Sequence, residues 1–311
     1  MSLRINNNVE ALNAHRHLLN NEKMLTKSLE RLSSAQKINR GADGPAALVI
    51  SEGMRSQIAS LHQAADNNES AISLVQTAEG ALNEVSKLLR DMRQRAVAAA
   101  NIGLNDENMV NASQQEIENA LDTIDRISTN TQFGSKNLLD GNGKAAVEVP
   151  EAAAEAAAEA ASTGKDSKSL AFQIGANRGQ MVSIDLPSVA TTELAKGVSN
   201  QSAFASLADV DVTTGQGAQD AMAVIDTAIE EIAVARGEMG AFQKNTLESN
   251  LTSLRIHTEN LTAAESSIRD ADIAVELAAF TRNQIMTQSA TAQLAQANAL
   301  PKNVMQLLAS Q

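Results

Sequence analysis

Residues 1–40 read MSLRINNNVEALNAHRHLLNNEKMLTKSLERLSSAQKINR. No proline or glycine interrupts this stretch, and its large apolar residues return at helical spacing. Ile5, Leu12 and Leu19 are seven apart, as are Leu18, Leu25 and Leu32, and Leu29 follows Leu25 by four. An apolar residue every three or four positions draws one stripe along a helix, and a seven-residue return makes that stripe a seam for a second helix. The spacing predicts a single continuous helix, about 60 Å long at the α-helical rise per residue.

The seam needs a partner, and the other end of the chain supplies the pattern. From residue 277 to 311 only Arg282 and Lys302 are charged, and Phe280, Ile285, Met286, Leu294, Leu300, Val304, Leu307 and Leu308 are spaced for helix. Pro301 predicts a kink or a new first turn, because proline lacks the N–H that a helix interior uses. A nearly uncharged helix rich in Gln and Asn suits burial among other helices or the wall of a polar channel. Ordering each end costs backbone entropy that one thin apolar stripe does not offset. The expectation is that the ends order only when many copies pack together.

Between the ends the chain alternates helix and punctuation. Gly41-Ala42-Asp43-Gly44-Pro45 is a joint in which Asp43 or Gly44 caps a new helix and Pro45 fits its first turn. Ile58, Leu61, Ala65, Ile72, Val75, Ala78, Leu82, Val85, Leu89, Met92 and Ala96 then mark a long stripe, with two steps of three around Val75 that predict a local shift of the seam. Asn105 is the expected cap of a further helix, with Asp106 and Glu107 in its first turn and Val110, Ile117, Leu121, Ile124 and Ile127 along its stripe. Residues 151–161, a Glu-Ala-Ala-Ala repeat, read as a solvent-facing helical spacer. The period then drops to two. Leu170, Phe172 and Ile174, a Gly-bounded turn, and Val182, Ile184 and Leu186 predict a β-hairpin. Residues 187–217 are rich in Ser, Thr and Gly and read as part of a small surface-facing region. Helical spacing returns at Met222, Ile225, Ile229 and Ile232 and runs on through Leu247, Leu254, Leu261, Ile268 and Val275, which predicts a third long helix.

Composition narrows what such a chain can do. Aromatic residues make up 2% and there is no Trp or Tyr, which suits thin helix-on-helix seams. A net charge of −12 argues against nucleic acid as a partner. Cysteine is absent, which excludes disulfides and thiolate chemistry, and with four scattered His it removes most metal sites. No apolar run is long enough to span a bilayer, and the N-terminus has no secretory h-region. The expected location is therefore the cytoplasm, or outside the cell by a route that cleaves nothing. His15 and His17 fall on different helix faces, and His62 and His257 stand alone. Asp270 and Asp272 read as a solvated face, and no metalloprotease, nucleophile-elbow or dinucleotide motif occurs. The expectation is a non-enzyme with no cofactor.

Taken together, certain segments resemble the bacterial flagellins. They are Leu3-Arg4-Ile5-Asn6-Asn7-Asn8, Ala11-Leu12-Asn13-Ala14, Leu29-Glu30-Arg31-Leu32-Ser33-Ser34, Ile38-Asn39-Arg40-Gly41-Ala42-Asp43 and Gln76-Thr77-Ala78-Glu79-Gly80-Ala81-Leu82. Thr131-Gln132-Phe133 with Leu138-Leu139-Asp140-Gly141, Phe172-Gln173-Ile174-Gly175-Ala176-Asn177, Arg236-Gly237-Glu238-Met239-Gly240-Ala241 and Glu265-Ser266-Ser267-Ile268-Arg269-Asp270-Ala271-Asp272 complete the set.

The resemblance implies a mainly α protein. Its N- and C-terminal segments would form a long antiparallel helical bundle or coiled coil, with a small β-hairpin region and a short variable outer segment. Residues 1–44 and 277–311 would be terminal helices of the inner filament core, and 45–187 with 218–276 the bundle and hairpin of the outer layer. Residues 142–217 would include the short variable surface-exposed segment. The implied role is a self-assembling subunit of the swimming filament, secreted through the type III export apparatus with an export chaperone on its C-terminal segment. Filament cap and hook-junction proteins would be further partners. A hook–filament junction protein and a secreted monomeric effector remain alternatives. The expected assembly residues are Ile5, Leu12, Leu18, Leu25, Leu29, Leu32, Phe280, Leu294, Leu300, Val304, Leu307 and Leu308. The stretch holding Leu89, Arg90, Asp91 and Arg93 resembles one that an innate immune receptor reads, with Asp91 where recognised members carry Arg.

Overall fold

A computed structural model describes residues 8–101, 103, 106–141 and 168–309, with the side chains of Lys168 and of residues 300–309 outside that description. The chain divides into two compact units, Met1–Ile58 with Glu259–Gln311, and Ala59–Thr258. Its helices are α1 (Val9–Ser34), α2 (Pro45–Ala99), α3 (Glu107–Asn130), α4 (Gly215–Phe242), α5 (Ser249–Arg269) and α6 (Ile273–Ala309). A six-residue π-helical stretch, Gln243–Glu248, joins α4 to α5. There are also two 3-10 turns, Gly41–Asp43 and Leu207–Asp209, and two small antiparallel hairpins: β1 (Gln132–Phe133) with β2 (Lys136–Asn137), and β3 (Lys168–Gln173) with β4 (Met181–Leu186). The fold is mainly α with a small hairpin region, as the spacing predicts.

The larger unit has one core, built by helices whose buried residues recur in alternating steps of three and four. Along α2 these are Leu61, Ala64, Asn68, Ala71, Val75, Ala78, Leu82, Val85, Leu89, Met92, Ala96 and Ala99. The shift expected near Val75 is absent. Ile72 and Ala65 lie half-buried beside the seam, while Ala71 and Asn68 occupy it. In α4 the same alternation runs through Ala218, Ala221, Ile225, Ala228, Ile232, Ala235 and Met239. In α3 it runs through Ile117, Leu121, Ile124 and Ser128. Small residues at so many seam positions let helix backbones approach closely. Ion pairs from α2 bracket the core, Arg95 to Glu116 of α3, Arg93 to Asp226 of α4 and Arg255 to Glu69 between α5 and α2.

Helix boundaries follow local chemistry with small shifts from expectation. Pro45 opens α2, as the joint sequence predicts. The cap of α3 is Asp106, whose carboxylate accepts the N–H of Met109 at 2.9 Å. Asn105, expected in that role, lies outside the described residues, as does the whole 151–161 spacer. Helix α6 runs on through Pro301, so the new first turn expected there does not occur.

The hairpin is seated by side-chain amides. Asn250 Nδ2 donates to the carbonyl of Ile174 at 2.7 Å, and Asn67 Nδ2 to that of Gln173 at 3.2 Å. Asn68 is fully buried in the α2 seam because its amide donates to Ala64 O at 2.7 Å, which satisfies a polar group that would otherwise be costly there.

Residues 187–212 differ most from their sequence reading. Although rich in Ser and Thr, the segment buries Val189, Leu194, Leu207, Val210 and Val212 and lies across the core as a strap. Carboxylates hold its backbone where no ladder can. Asp125 accepts from Thr191 N and Oγ1 at 2.9 Å each, and Glu231 from Ala195 N at 3.0 Å. Asp220 accepts from Ser202 N at 2.8 Å, Ser202 Oγ at 2.6 Å and Gln201 N at 3.1 Å. Period-based reading misses such a segment because its hydrogen bonds go to side chains, and its apolar residues follow no repeat.

The hydroxyl of Ser202, with the backbone N–H groups and Gln216, holds the Asp220 carboxyl below its ordinary value. A lowered carboxylate contributes stability above its ordinary value and loses it as pH falls through the lowered one. The amide resonances of Gln201 and Ser202 should therefore titrate together, with a midpoint below that of an ordinary aspartate, and Asp220→Asn should abolish the titration. A midpoint at or above the ordinary aspartate range would contradict this account of the strap.

Candidate assembly site

The terminal unit is built on α1 and α6, which pack against each other along their length. Asn8 caps α1 by accepting the N–H of Ala11 at 3.0 Å, and its amide donates across to Ala297 O at 2.8 Å. Asn21 Nδ2 donates to Met286 O at 3.3 Å, Asn283 Nδ2 to Ser28 Oγ at 3.2 Å, and Arg31 reaches Glu276 at 3.7 Å. Partners that rise along α1 as they fall along α6 make the pair antiparallel.

The inner seam alternates three and four on both helices. On α1 it is Ala11, Ala14, Leu18, Asn21, Leu25, Ser28 and Leu32. On α6 it is Glu276, Phe280, Asn283, Thr287, Ala290, Leu294 and Ala297. Five of these fourteen positions are polar, four are Ala and five are Leu or Phe. Ser28 and Asn283, 5% and 7% exposed, satisfy each other.

Other large apolar residues point the other way. Leu12 is 65% exposed, and Val9, Leu19, Met24 and Leu29 share that exposure on α1. On α6, Ile285 is 58% exposed and Ile273, Val275, Leu277 and Met286 are also open. Part of this outer face forms an open groove of about 610 Å³ whose lining includes Leu277, Thr281, Arg282, Ile285 and Met286. The pair thus has a mixed seam, in which Leu18, Leu25, Leu32, Phe280 and Leu294 alternate with small and polar residues, and further large apolar side chains left exposed outside it.

The expected assembly residues therefore divide. Leu18, Leu25, Leu32, Phe280 and Leu294 are half-buried on the inner seam, whereas Leu12 and Leu29 stand on the outer face. Ile5 and the side chains of Leu300, Val304, Leu307 and Leu308 lie outside the described residues. Sequence reading missed Ser28, Asn21, Asn283 and Thr287, because only large apolar residues were followed. The repeat of positions was present once small and polar residues are admitted to it. Of the receptor-like stretch, Leu89 is fully buried at an α2 seam position. Arg90, Asp91 and Arg93 are exposed, with Arg90 Nε donating to Ser86 O at 3.1 Å and Arg93 paired to Asp226.

Neither end continues as helix where its periodicity predicts. Helix α1 stops at Ser34, not near Arg40, and the expected third long helix breaks at residues 270–272, so Val275 belongs to α6. The two breaks meet in an antiparallel bridge, Gln36 opposite Asp270. Lys37 N donates to Arg269 O at 2.7 Å and Ala271 N to Ala35 O at 3.0 Å. Ile38 is buried beneath them. Ala35 takes φ 57°, a left-handed conformation that costs a non-glycine residue about 1–2 kcal/mol.

Ion pairs surround this joint: Lys27 to Asp43 at 2.7 Å, Arg40 to Glu30 at 2.7 Å and Arg269 to Glu52 at 2.7 Å. The hydrogen bond from Lys27, then that from the Arg40 backbone, holds the Asp43 carboxyl below its ordinary value. Arg269 does the same for Glu52.

Among the described residues, no group of three His, Cys, Asp or Glu could hold a metal ion, and no helix is long and apolar enough to cross a membrane. What the geometry offers is a helical protein whose paired ends leave large apolar side chains exposed, the class of chain whose chemistry is packing. The chain matches the bacterial flagellin N-terminal helical region over residues 5–144 and the C-terminal helical region over residues 222–308. It is 41% identical to the flagellin of Bacillus subtilis (strain 168), covering 98% of this chain and 100% of that one. It is 38% identical to the flagellin of Halalkalibacterium halodurans, covering 98% and 99%. The crystal structure of Bacillus cereus flagellin aligns with a TM-score of 0.41 at 24% identity, covering 61% of this chain and 88% of that one. The chain belongs to the bacterial flagellin family.

Removing one member of a buried polar pair leaves the other unsatisfied, at a cost of about 1–3 kcal/mol. Ser28→Ala should therefore lower the thermal stability of the α1/α6 helical signal in circular dichroism. Ser28→Ala combined with Asn283→Leu should recover the loss, and a double variant no better than the single one would contradict the assigned pair.

Proposed function

We propose that this flagellin assembles through the outer face of α1/α6, with each copy laying that face against neighbouring copies while the inner seam holds its own two ends together. The protein is a structural subunit of the bacterial flagellar filament. The observation that carries the surface assignment is the exposure of Leu12, Leu29, Ile285 and Met286, large apolar side chains that the pairing of α1 with α6 leaves uncovered. A contact between two different faces builds an open helical polymer when its rotation does not close into a ring.

In this reading, residues 1–44 and 277–311 form the inner layer. Residues 45–187 and 218–276 form the outer layer, and 142–217 includes the solvent-facing variable part. Its role is structural and no residue is given a catalytic one. The low charge of residues 277–311 fits a segment that an export chaperone covers before passage through the type III apparatus to the cell exterior. Filament cap and hook-junction proteins meet the same terminal faces at the filament ends. Nothing in the fold favours the junction-protein or secreted-effector alternatives.

Seeded polymerisation followed by electron microscopy tests the division of faces. Leu12→Asp should abolish filaments by placing a charge in the contact between copies, and Leu25→Asp by breaking the pairing within one copy. Both should leave residues 59–258 folded by circular dichroism and protease resistance. A chain lacking residues 1–44 and 277–311 should stay monomeric. Normal filaments from Leu12→Asp would refute the outer-face assignment.

A further inference from the structure

The seam of α4 does not reach α5 in step. Its buried residues run Ala218, Ala221, Ile225, Ala228, Ile232, Ala235 and Met239, and half-buried Phe242 follows at the next step of three. A further step of four would fall on Thr246, yet the residue wholly buried is Leu247, five after Phe242. Steps of three and four then resume, through half-buried Asn250 to buried Leu254. An uninterrupted α-helix in the phase of α4 would instead lay Thr246, Ser249, Ser253 and Ile256 on the seam and turn Leu247 and Leu254 away from it.

The step of five coincides with the π-helical stretch Gln243–Glu248. A π turn closes its hydrogen bonds between residues five apart, so it takes up one residue more than an α turn does. Gln243 Nε2 donates to Glu248 Oε1 at 2.9 Å, a side-chain pair five apart that an α-helix would set on different faces. This exposed bond supports the turn locally, and the contacts beyond it tie the turn to the core. Asn250 Nδ2 donates to Ile174 O at the hairpin at 2.7 Å, and to Oδ1 of the fully buried Asn68 at 3.4 Å. Arg255 of α5 meets Glu69 of α2 at 2.8 Å. Each of these depends on how far α5 is rotated about its own axis.

We propose that Gln243–Glu248 is a phase-correcting turn. One residue beyond the helical repeat, carried at exposed Lys244 and Asn245, rotates α5 by about 100°. The rotation lets Leu247, Asn250 and Leu254 continue the seam, and it sets Asn250 under the hairpin. The turn is a conformational device within residues 59–258, and it depends neither on the order of the chain ends nor on which face meets a neighbouring copy. Without Asn245, Leu247 would follow Phe242 by four, Asn250 would follow by three and Leu254 by four, and the stretch would close as ordinary α-helix.

Two single-residue deletions in the full-length chain test this. Deleting Asn245 removes the extra residue, whereas deleting Ala233, exposed on α4, takes Ala235, Met239 and Phe242 out of phase. Deletion of Asn245 should leave the melting temperature by circular dichroism unchanged or raised, and deletion of Ala233 should lower it by about 10 °C. Hydrogen exchange of residues 168–186 reports the hairpin seat. It should stay within about twofold of the parent on deletion of Asn245, and Asn250→Ala should raise it about tenfold in the parent and in the Asn245 deletion alike. Equal effects of the two deletions on melting, in either direction, would overturn the proposal. So would faster hairpin exchange on deletion of Asn245, or a deletion variant whose hairpin no longer responds to Asn250→Ala.

Discussion

A helix presents the same stripe every seven residues, and this chain depends on what it puts on that stripe. In the larger unit the alternating three-four seam of α2 runs unbroken from Leu61 to Ala99, and α3 and α4 carry matching seams. With Ala at so many of these positions, the helices can approach closely while burying little bulk per residue. The strap of residues 187–212 adds Leu194, Leu207 and Val210 to the same core, which explains how a chain with 2% aromatic residues fills it. Its carboxylate anchors, Asp125, Asp220 and Glu231, supply the acceptors that a segment without ladders needs.

At the ends the same repeat carries a mixed seam. The inner seam of α1/α6 holds Ser28, Asn283, Asn21 and Thr287, residues that fix how two helices meet and add little to how strongly. Leu18, Leu25, Leu32, Phe280 and Leu294 share that seam, while Leu12, Leu29, Ile285 and Met286 are left exposed in a single copy.

The two helix breaks tie these parts of the terminal unit together. Asp270 and Gln36 bridge where each helix has stopped, and Lys27, Glu30, Arg40, Asp43, Glu52 and Arg269 surround the bridge with paired charge. Lowered carboxyls at Asp43 and Glu52 make the joint's ionic contribution present at neutral pH and lost in acid. Ala35 in a left-handed conformation shows that these contacts outweigh local preference.

Local order was legible in the residues themselves. Helical spacing located α1, α2, α3 and α4, the period of two located β3 and β4, and Pro45 marked the start of α2, because each of these follows from steric and hydrogen-bonding rules that act over a few residues. The candidate site was legible in part. Leu18, Leu25 and Leu32 lay on one seven-residue repeat and Ile5, Leu12 and Leu19 on another, but nothing local says which stripe turns inward. Tertiary structure decided that. It also decided the break at Ala35, the burial of Leu89 and the strap across the core. Each depends on residues far apart in the chain, Asp270 for Gln36, Asn283 for Ser28 and Asp125 for Thr191, and a sequence window senses only its own neighbours.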